Sequence, residues 1–180
     1  YDSVRTCAAQ VVSDQARQNL IKEIYNDFFS IAFKDMAAEL GIVYTPAEVV
    51  DAQLHMVQRA LQRGFGMSLG DRGVHVLDGF AGTGTYMCRL IEDKSLIDDE
   101  DLPYKYEHDL HSNEIVPLAS MIMDVNIEQS YHSRMGGDYK PFPGALLTDT
   151  FQMGEADDPV DTTMFAENTE RVEQQLRLPI

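Results

Sequence analysis

"VHVLDGFAGTGTYMCRL", residues 74–90, is the stretch on which the fold turns. A short run rich in Val and Leu stops at Asp78, passes through Gly79 and the Gly82, Thr83, Gly84 bend, and continues as a helix-like segment. An apolar run of this length bounded by turn residues predicts a buried strand over 74–78, with a helix over about 83–91. A glycine-rich bend between strand and helix lets the backbone come close to a ligand and aims N–H groups at it. The third glycine of the dinucleotide fingerprint is missing, so the bend matches a pyrophosphate cradle poorly. Taken alone, it is equally well read as a tight strand-to-helix turn.

Downstream, "YEHDLHSNEI" predicts a second strand ending near Asn113 and Glu114. A helix over about 115–134 follows, with Pro117 tolerated in its first turn. "MGGDYKPFPG" reads as loop, "ALLTDTF" as a third strand, "GEADDPVD" as an acidic loop, and the last segment as helical until Leu178. The charge run "EDKSLIDDEDLP" reads as a solvated surface excursion, and Met121, Ile122, Met123 and Val125 as core packing. Alternation of strand and helix predicts an α/β protein with a parallel sheet, and ligands on such sheets sit at the carboxyl ends of the strands.

Upstream, "YTPAEVV" opens a helix. Thr45 suits the N-cap, Pro46 the first turn, and Glu48 completes a capping box. Val49, Val50, Met56, Val57, Ala60 and Leu61 supply its expected core face. Residues 14–40 repeat Leu, Ile, Tyr, Phe and Met at helical spacing, with Gly41 as terminator. Residues 1–43 are therefore expected to form an N-terminal helical segment ahead of a ligand-binding unit over 44–180.

The composition is that of a globular chain: 180 residues, 44% hydrophobic and 24% charged. Net charge is −16, with 30 acidic against 14 basic residues. Strong nucleic-acid grip needs a basic footprint, so the chain is not expected to hold DNA or RNA strongly by itself. No apolar run approaches the roughly 20 residues of a membrane span, and no signal pattern opens the sequence. Cys7 and Cys88 match no metal spacing, the five histidines are dispersed, and no metal site is expected. A cytoplasmic protein with reduced thiols fits these features.

Three carboxylates fall at three successive strand ends. Asp78 accepts hydrogen bonds only and suits an amino group better than a phosphate. Glu114 stands where an acidic side chain takes ribose hydroxyls, although a carboxylate favoured at a helix start is an alternative reading. Asp149 can accept from the exocyclic amine of adenine, with Phe151 or Phe80 against the ring, or it is a turn aspartate before a core phenylalanine. Together they describe a pocket for a nucleoside with an amino-bearing tail, which S-adenosylmethionine fits better than NAD.

On these residues the sequence resembles the amino-type, adenine-N6 DNA methyltransferases. "VLDGFAGTGTY" is similar to their first motif, "IVYTPAEVVD" to the motif that precedes it, and "LHSNEI" and "LLTDTF" to the next two. The order resembles the methyltransferase portion of large single-chain restriction–modification proteins with nuclease and helicase-like domains. The resemblance runs over about residues 28–180 and implies a Rossmann-like class I methyltransferase fold with an incomplete parallel sheet preceded by N-terminal helices. It implies that Tyr44, Thr45 and Pro46 approach the methionine end of S-adenosylmethionine, and that Asp78, Phe80, Ala81, Gly82 and Gly84 line the methionine side and the bend. Glu114 would take the ribose, and Asp149 with Phe151 the adenine.

Gly79 departs from the family, which has proline there. The catalytic motif Asn/Asp-Pro-Pro-Tyr is also absent, and "RVEQQLRLPI" is similar to the stretch that leads into it. The resemblance thus implies a cofactor-binding fragment, inactive alone, with no catalytic residue of its own. DNA contact and the nuclease and helicase-like functions would belong to other domains, and an exposed apolar edge on the truncated sheet would favour a dimer. A nicotinamide-dependent oxidoreductase fragment and a non-catalytic interaction module are the alternatives.

Overall fold

The computed structural model describes residues 45–153 and 166–178, which fall within one compact unit, Thr45–Ile180. The expected helix over 14–40, Tyr44, Cys7 and the acidic loop after Met153 lie outside the described residues.

The chain forms an α/β structure of Rossmann-like character. In order come α1 (Ala47–Phe65), β1 (Val76–Asp78), α2 (Thr85–Glu92), the single turn α3 (Leu102–Tyr104), a π-helical turn (Lys105–Asp109), β2 (Leu110–Glu114), α4 (Pro117–Met135), β3 (Ala145–Leu147) and α5 (Ala166–Gln175). The strands form one parallel sheet in the order β1, β2, β3. Asp78 pairs with Ser112, and Ser112 with Ala145. Parallel neighbours need long crossovers, which here contain α2 and α4. These two helices pack on each other, and Met87, Leu90, Ile91, Met123 and Ile127 interlock between them and the sheet.

Thr45 does not cap α1. Pro46 occupies the N-cap position, no side chain caps the end, and the N–H groups of Val49 and Val50 donate to the Pro46 carbonyl at 3.0 and 3.2 Å. The missing N–H of Pro46 is harmless one residue earlier than expected, because the first-turn donors find its carbonyl. The buried stripe of α1 is also rotated, to Val50, Leu54 and Gln58, leaving Val49, Met56 and Val57 exposed. Gln58 turns inward because its amide donates to Ser68 Oγ and accepts from the Leu69 N–H, both at 2.8 Å. On α4, Met123 is core, but Met121 and Val125 face outward, 66% and 52% exposed.

The acidic excursion is not a solvated loop throughout. Leu96, Ile97 and Leu102 are core residues. Arg134 holds the segment in place, donating to the Ile91 carbonyl at 2.5 Å, the Ile97 carbonyl at 2.6 Å and Asp99 at 2.7 Å. Asp93 and Asp98 accept from backbone N–H groups two or three residues on, which shapes the turns locally.

α5 lies on the sheet face opposite Glu114, because side chains alternate along β2 and Asn113 points the other way. Asn113 and Gln175 exchange two amide hydrogen bonds, at 3.0 and 3.1 Å, in a buried site. Asn168 accepts from the Leu147 N–H at 2.8 Å and donates to its carbonyl at 3.0 Å. At that residue the side chain stands in for a fourth strand, so the β3 edge is not an open pairing template there.

At the amino end of the sheet, His75 Nδ1 and His111 Nε2 share a hydrogen bond at 3.0 Å, with the rings stacked. Burial holds the His111 imidazolium down to a pKa of about 4, and the neighbouring His75 and Lys105 act in the same direction against Asp109. A histidine with a lowered folded pKa contributes stability above its unfolded pKa and loses it as pH falls from about 6.5 toward 4. From pH 7 to pH 5 this one group should cost about 2 kcal/mol. Asp124 opposes it, since burial raises its carboxyl to about 6 and protonation relieves that penalty over the same interval. Urea unfolding of His111→Gln at the two pH values should show the variant losing about 2 kcal/mol less than the parent. Equal losses would reject the assignment.

Candidate functional site

Asp78 and Glu114 are the last residues of β1 and β2, whereas β3 ends at Leu147 and Asp149 lies two residues beyond it, in a turn closed by Gln152 N–H to Asp149 O at 3.1 Å. Hydrogen bonds tie the three strand ends together. Glu114 Oε2 accepts from the Gly82 N–H at 2.7 Å and Oε1 from the Val116 N–H at 2.8 Å. The Thr150 hydroxyl donates to the Gly79 carbonyl at 2.6 Å, and Phe80 packs on Phe151 with ring centroids 5.1 Å apart. Thr148 N–H donates to the Glu114 carbonyl at 3.0 Å.

The bend itself needs its glycines. Gly82 and Gly84 both have left-handed backbones, φ 56° and 81°. A Cβ on Gly84 would also lie 3.1 Å from carbons of Met123 and Ile127, so the bend sits directly on α4. Its amides are largely consumed internally. Ala81 N–H donates to the Asn113 carbonyl at 2.9 Å, Gly82 N–H to Glu114, and Gly84 N–H to the Ala81 carbonyl at 2.8 Å. A pyrophosphate would find few free donors and two carboxylates beside it.

Those carboxylates are electrostatically uncomfortable. Burial raises the Asp78 carboxyl above its ordinary value, opposed by one N–H from Phe80. Burial also raises Glu114, opposed by the backbone N–H groups that it accepts from and reinforced by the charge of Asp78. Asp78 Oδ2 is buried with no hydrogen-bond partner among the described residues, as are Ser112 Oγ and Thr148 Oγ1. Such atoms are costly unless a ligand or water meets them. Beside Asp78 a cavity of about 330 Å³ opens between α1, β1 and α2, lined in part by Gln53, Val57, Leu77, Gly79 and Tyr86. The arrangement suits a cation or a hydroxyl donor, not a phosphate.

Of the other sequence-derived candidates, Thr45 and Pro46 stand at the start of α1. Ala81 is buried within the bend, while Phe80 and Phe151 are 67% and 81% exposed. Asp149 is half-buried and accepts from the Phe151 N–H at 3.0 Å. Sequence reasoning passed over Thr150, Ser112 and Thr148. The one available signal was glycine at 79, which leaves room for a neighbour. Among the described residues no cluster of three His, Cys, Asp or Glu could hold a metal ion, and no helix is long and apolar enough to cross a membrane.

No protein-family model matches the sequence, and no curated protein does. Solved structures do. The DrdV–DNA complex superposes with a TM-score of 0.90 at 32% identity, covering 100% of this chain and 17% of that one. A nuclease-deletion mutant of the Type ISP restriction-modification enzyme LlaGI, in complex with a DNA substrate mimic, gives 0.83 at 37% identity, covering 100% of this chain and 15% of that one. The ATP-dependent Type ISP restriction-modification enzyme LlaBIII bound to DNA gives 0.80 at 39% identity over 94% of this chain and 12% of that one. The chain therefore corresponds in fold and sequence to a segment, between about an eighth and a sixth of the length, of these larger chains, two of which are Type ISP restriction-modification enzymes.

Proposed function

We propose that the chain is the S-adenosylmethionine-binding part of an adenine-N6 DNA methyltransferase within a restriction–modification protein. The observation that carries this reading is the buried, unpartnered Asp78 Oδ2 beside a glycine bend whose amides are largely used. A cationic, amine-bearing nucleoside satisfies such a site, and a dinucleotide does not.

On this reading Asp78 receives the ammonium end, with the adjoining cavity giving the tail room. Glu114 keeps its two backbone N–H partners and offers its remaining lone pairs to the ribose hydroxyls. Asp149 accepts from the adenine amine, with Phe80 and Phe151 against the ring. The bound cofactor supplies an activated methyl group. This chain's residues hold and orient it, and positioning of that kind provides much of the acceleration in a transfer reaction. Adenine must be flipped from the duplex before an enzyme can act on its amine. The tetrapeptide Asn/Asp-Pro-Pro-Tyr that would receive it does not occur in the 180 residues, so the chain alone binds cofactor and transfers nothing. DNA contact, the nuclease and the helicase-like functions belong, on the same reading, to other parts of the polypeptide.

Calorimetry tests the proposal. S-adenosylhomocysteine should bind and raise the melting temperature, and NAD should do neither. Asp149→Ala should weaken S-adenosylhomocysteine by about 1–3 kcal/mol, the loss of a hydrogen bond to a charged acceptor. Binding of NAD in preference to S-adenosylhomocysteine would overturn the cofactor assignment, and an unchanged affinity in the variant would overturn the adenine placement.

A further inference from the structure

The loops after β1 and β3 are built alike. Each is an Asp-X-Phe triplet, Asp78, Gly79, Phe80 and Asp149, Thr150, Phe151, in which the aspartate Oδ1 accepts from the phenylalanine N–H, at 3.3 and 3.0 Å. The two triplets meet at their second and third residues. The middle residues bond, Thr150 hydroxyl to Gly79 carbonyl at 2.6 Å, and the phenylalanine rings pack together. Thr150 Cγ2 lies 3.2 Å from the point where a side chain on Gly79 would begin. The threonine methyl thus fills the place that glycine vacates, while its hydroxyl holds the carbonyl beside it.

We propose that Thr150 is a positioning residue that locks these two triplets into one rigid clasp and so presets the spacing between the ends of the cofactor pocket. The inference rests on the S-adenosylmethionine reading and deepens it. Asp78 and Asp149 contact opposite ends of that ligand, on loops separated by the whole of β2. With the clasp closed, contact at one end places the other end at a fixed distance, and the second contact is made at high effective concentration. With the clasp open, each end binds as a separate fragment. Gly79 is part of the device, because any side chain there presses on the threonine methyl.

The signature is a split between ligands. S-adenosylhomocysteine reaches from Asp149 to Asp78, whereas adenosine lacks the amino-bearing tail and meets the β1 triplet only at the Phe80 ring. Thr150→Val keeps the shape and removes the donor. Its affinity for S-adenosylhomocysteine should fall about tenfold or more while that for adenosine stays within about twofold. Thr150→Ser keeps the hydroxyl and should stay close to the parent. Gly79→Ala should weaken S-adenosylhomocysteine selectively, and Thr150→Ser in that background, which removes the methyl in the way, should restore it.

Calorimetry with both ligands, with melting temperature followed alongside, reads the parent and the four variants. Equal weakening of adenosine and S-adenosylhomocysteine in Thr150→Val would make the threonine a plain stability element and overturn the proposal. So would an unaltered S-adenosylhomocysteine affinity, or a Gly79→Ala defect that Thr150→Ser leaves in place. A parent protein that binds neither ligand would instead overturn the cofactor reading beneath it.

Discussion

Lys105→Met should destabilise the protein by about 3–5 kcal/mol, a large share of the 5–15 kcal/mol typical of a domain. Lys105 is fully buried. Its ammonium lies 3.2 Å from Asp109 Oδ2 and donates to the carbonyls of Asp71, at 3.0 Å, and Val74. Desolvation lowers its pKa, and Asp109 works against that shift. Methionine fills a similar volume but leaves Asp109, itself 1% exposed, as an unbalanced charge held by Gly73 N–H at 2.8 Å with His75 at 3.9 Å. The deficit has a definite pH signature. An unbalanced buried carboxylate titrates above its ordinary range, so the destabilisation is full at high pH and shrinks as pH falls and the group takes up a proton. The double variant Lys105→Met, Asp109→Asn removes the charge while keeping an acceptor for Gly73, and should recover more than half of the loss. Urea unfolding of parent, single and double variants at pH 8 and pH 5 checks both points. A single-variant loss below about 1 kcal/mol would mean that the pair is hydrated, not buried.

That pair shows what the sequence could and could not reveal. The three strands and the helices around them were legible because period and punctuation are local. A short run of Val and Leu stops at Asp78, and Pro117 marks a helix start where the structure has one. The charge run over 92–103 was misread because its many acids masked Leu96, Ile97 and Leu102, which Arg134 draws inward from a helix further along the chain. The core face of α1 was misassigned because Gln58 is buried by two distant hydrogen bonds that no periodicity announces. Lys105 in sequence is one more surface lysine. It becomes a core residue only because the π-helical turn leads straight into β2, with Leu110 N–H donating to the Lys105 carbonyl.

The candidate site divides along the same line. Its carboxylates could be picked out because two close a strand and the third lies just past one, and strand ends are where α/β proteins place ligands. Their division of labour could not. The Thr150 bond to Gly79 joins residues 71 positions apart, and Glu114 reaches back 32 positions to the Gly82 N–H. The two ends of the sheet are secured by different means. Lys105 and Asp109 fasten the segments that enter β1 and β2, while Glu114 and Thr150 fasten the loops that leave β1 and β3. One of the ties at the leaving ends, Glu114, is a group that the proposed ligand would also touch, which couples the order of the bend to binding.

Glu114→Gln tests that coupling most severely, and should abolish measurable binding of S-adenosylhomocysteine, a loss of about 100-fold or more. The substitution preserves size and removes only a charge, so at an ordinary ribose-binding glutamate it would be mild. Here both oxygens accept from backbone N–H groups, Gly82 at 2.7 Å and Val116 at 2.8 Å. The glutamine amide has one acceptor oxygen, so its NH2 must face one of these donors. Either the Gly82 bend or the start of α4 then loses its anchor, and a buried N–H left without a partner costs about 1–3 kcal/mol. The weaker hydrogen bond that the glutamine oxygen accepts from a ribose hydroxyl adds about 1 kcal/mol or more, since bonds to charged acceptors are roughly twice as strong as neutral ones. About 3 kcal/mol in total corresponds to the 100-fold expected. Glu114→Asp keeps two acceptors on a shorter arm and should retain more affinity than Gln, the reverse of a ranking by size. Calorimetric titration of the two variants settles the order. A glutamine variant that binds as well as the parent would show that Glu114 does not hold the bend and the ribose at once.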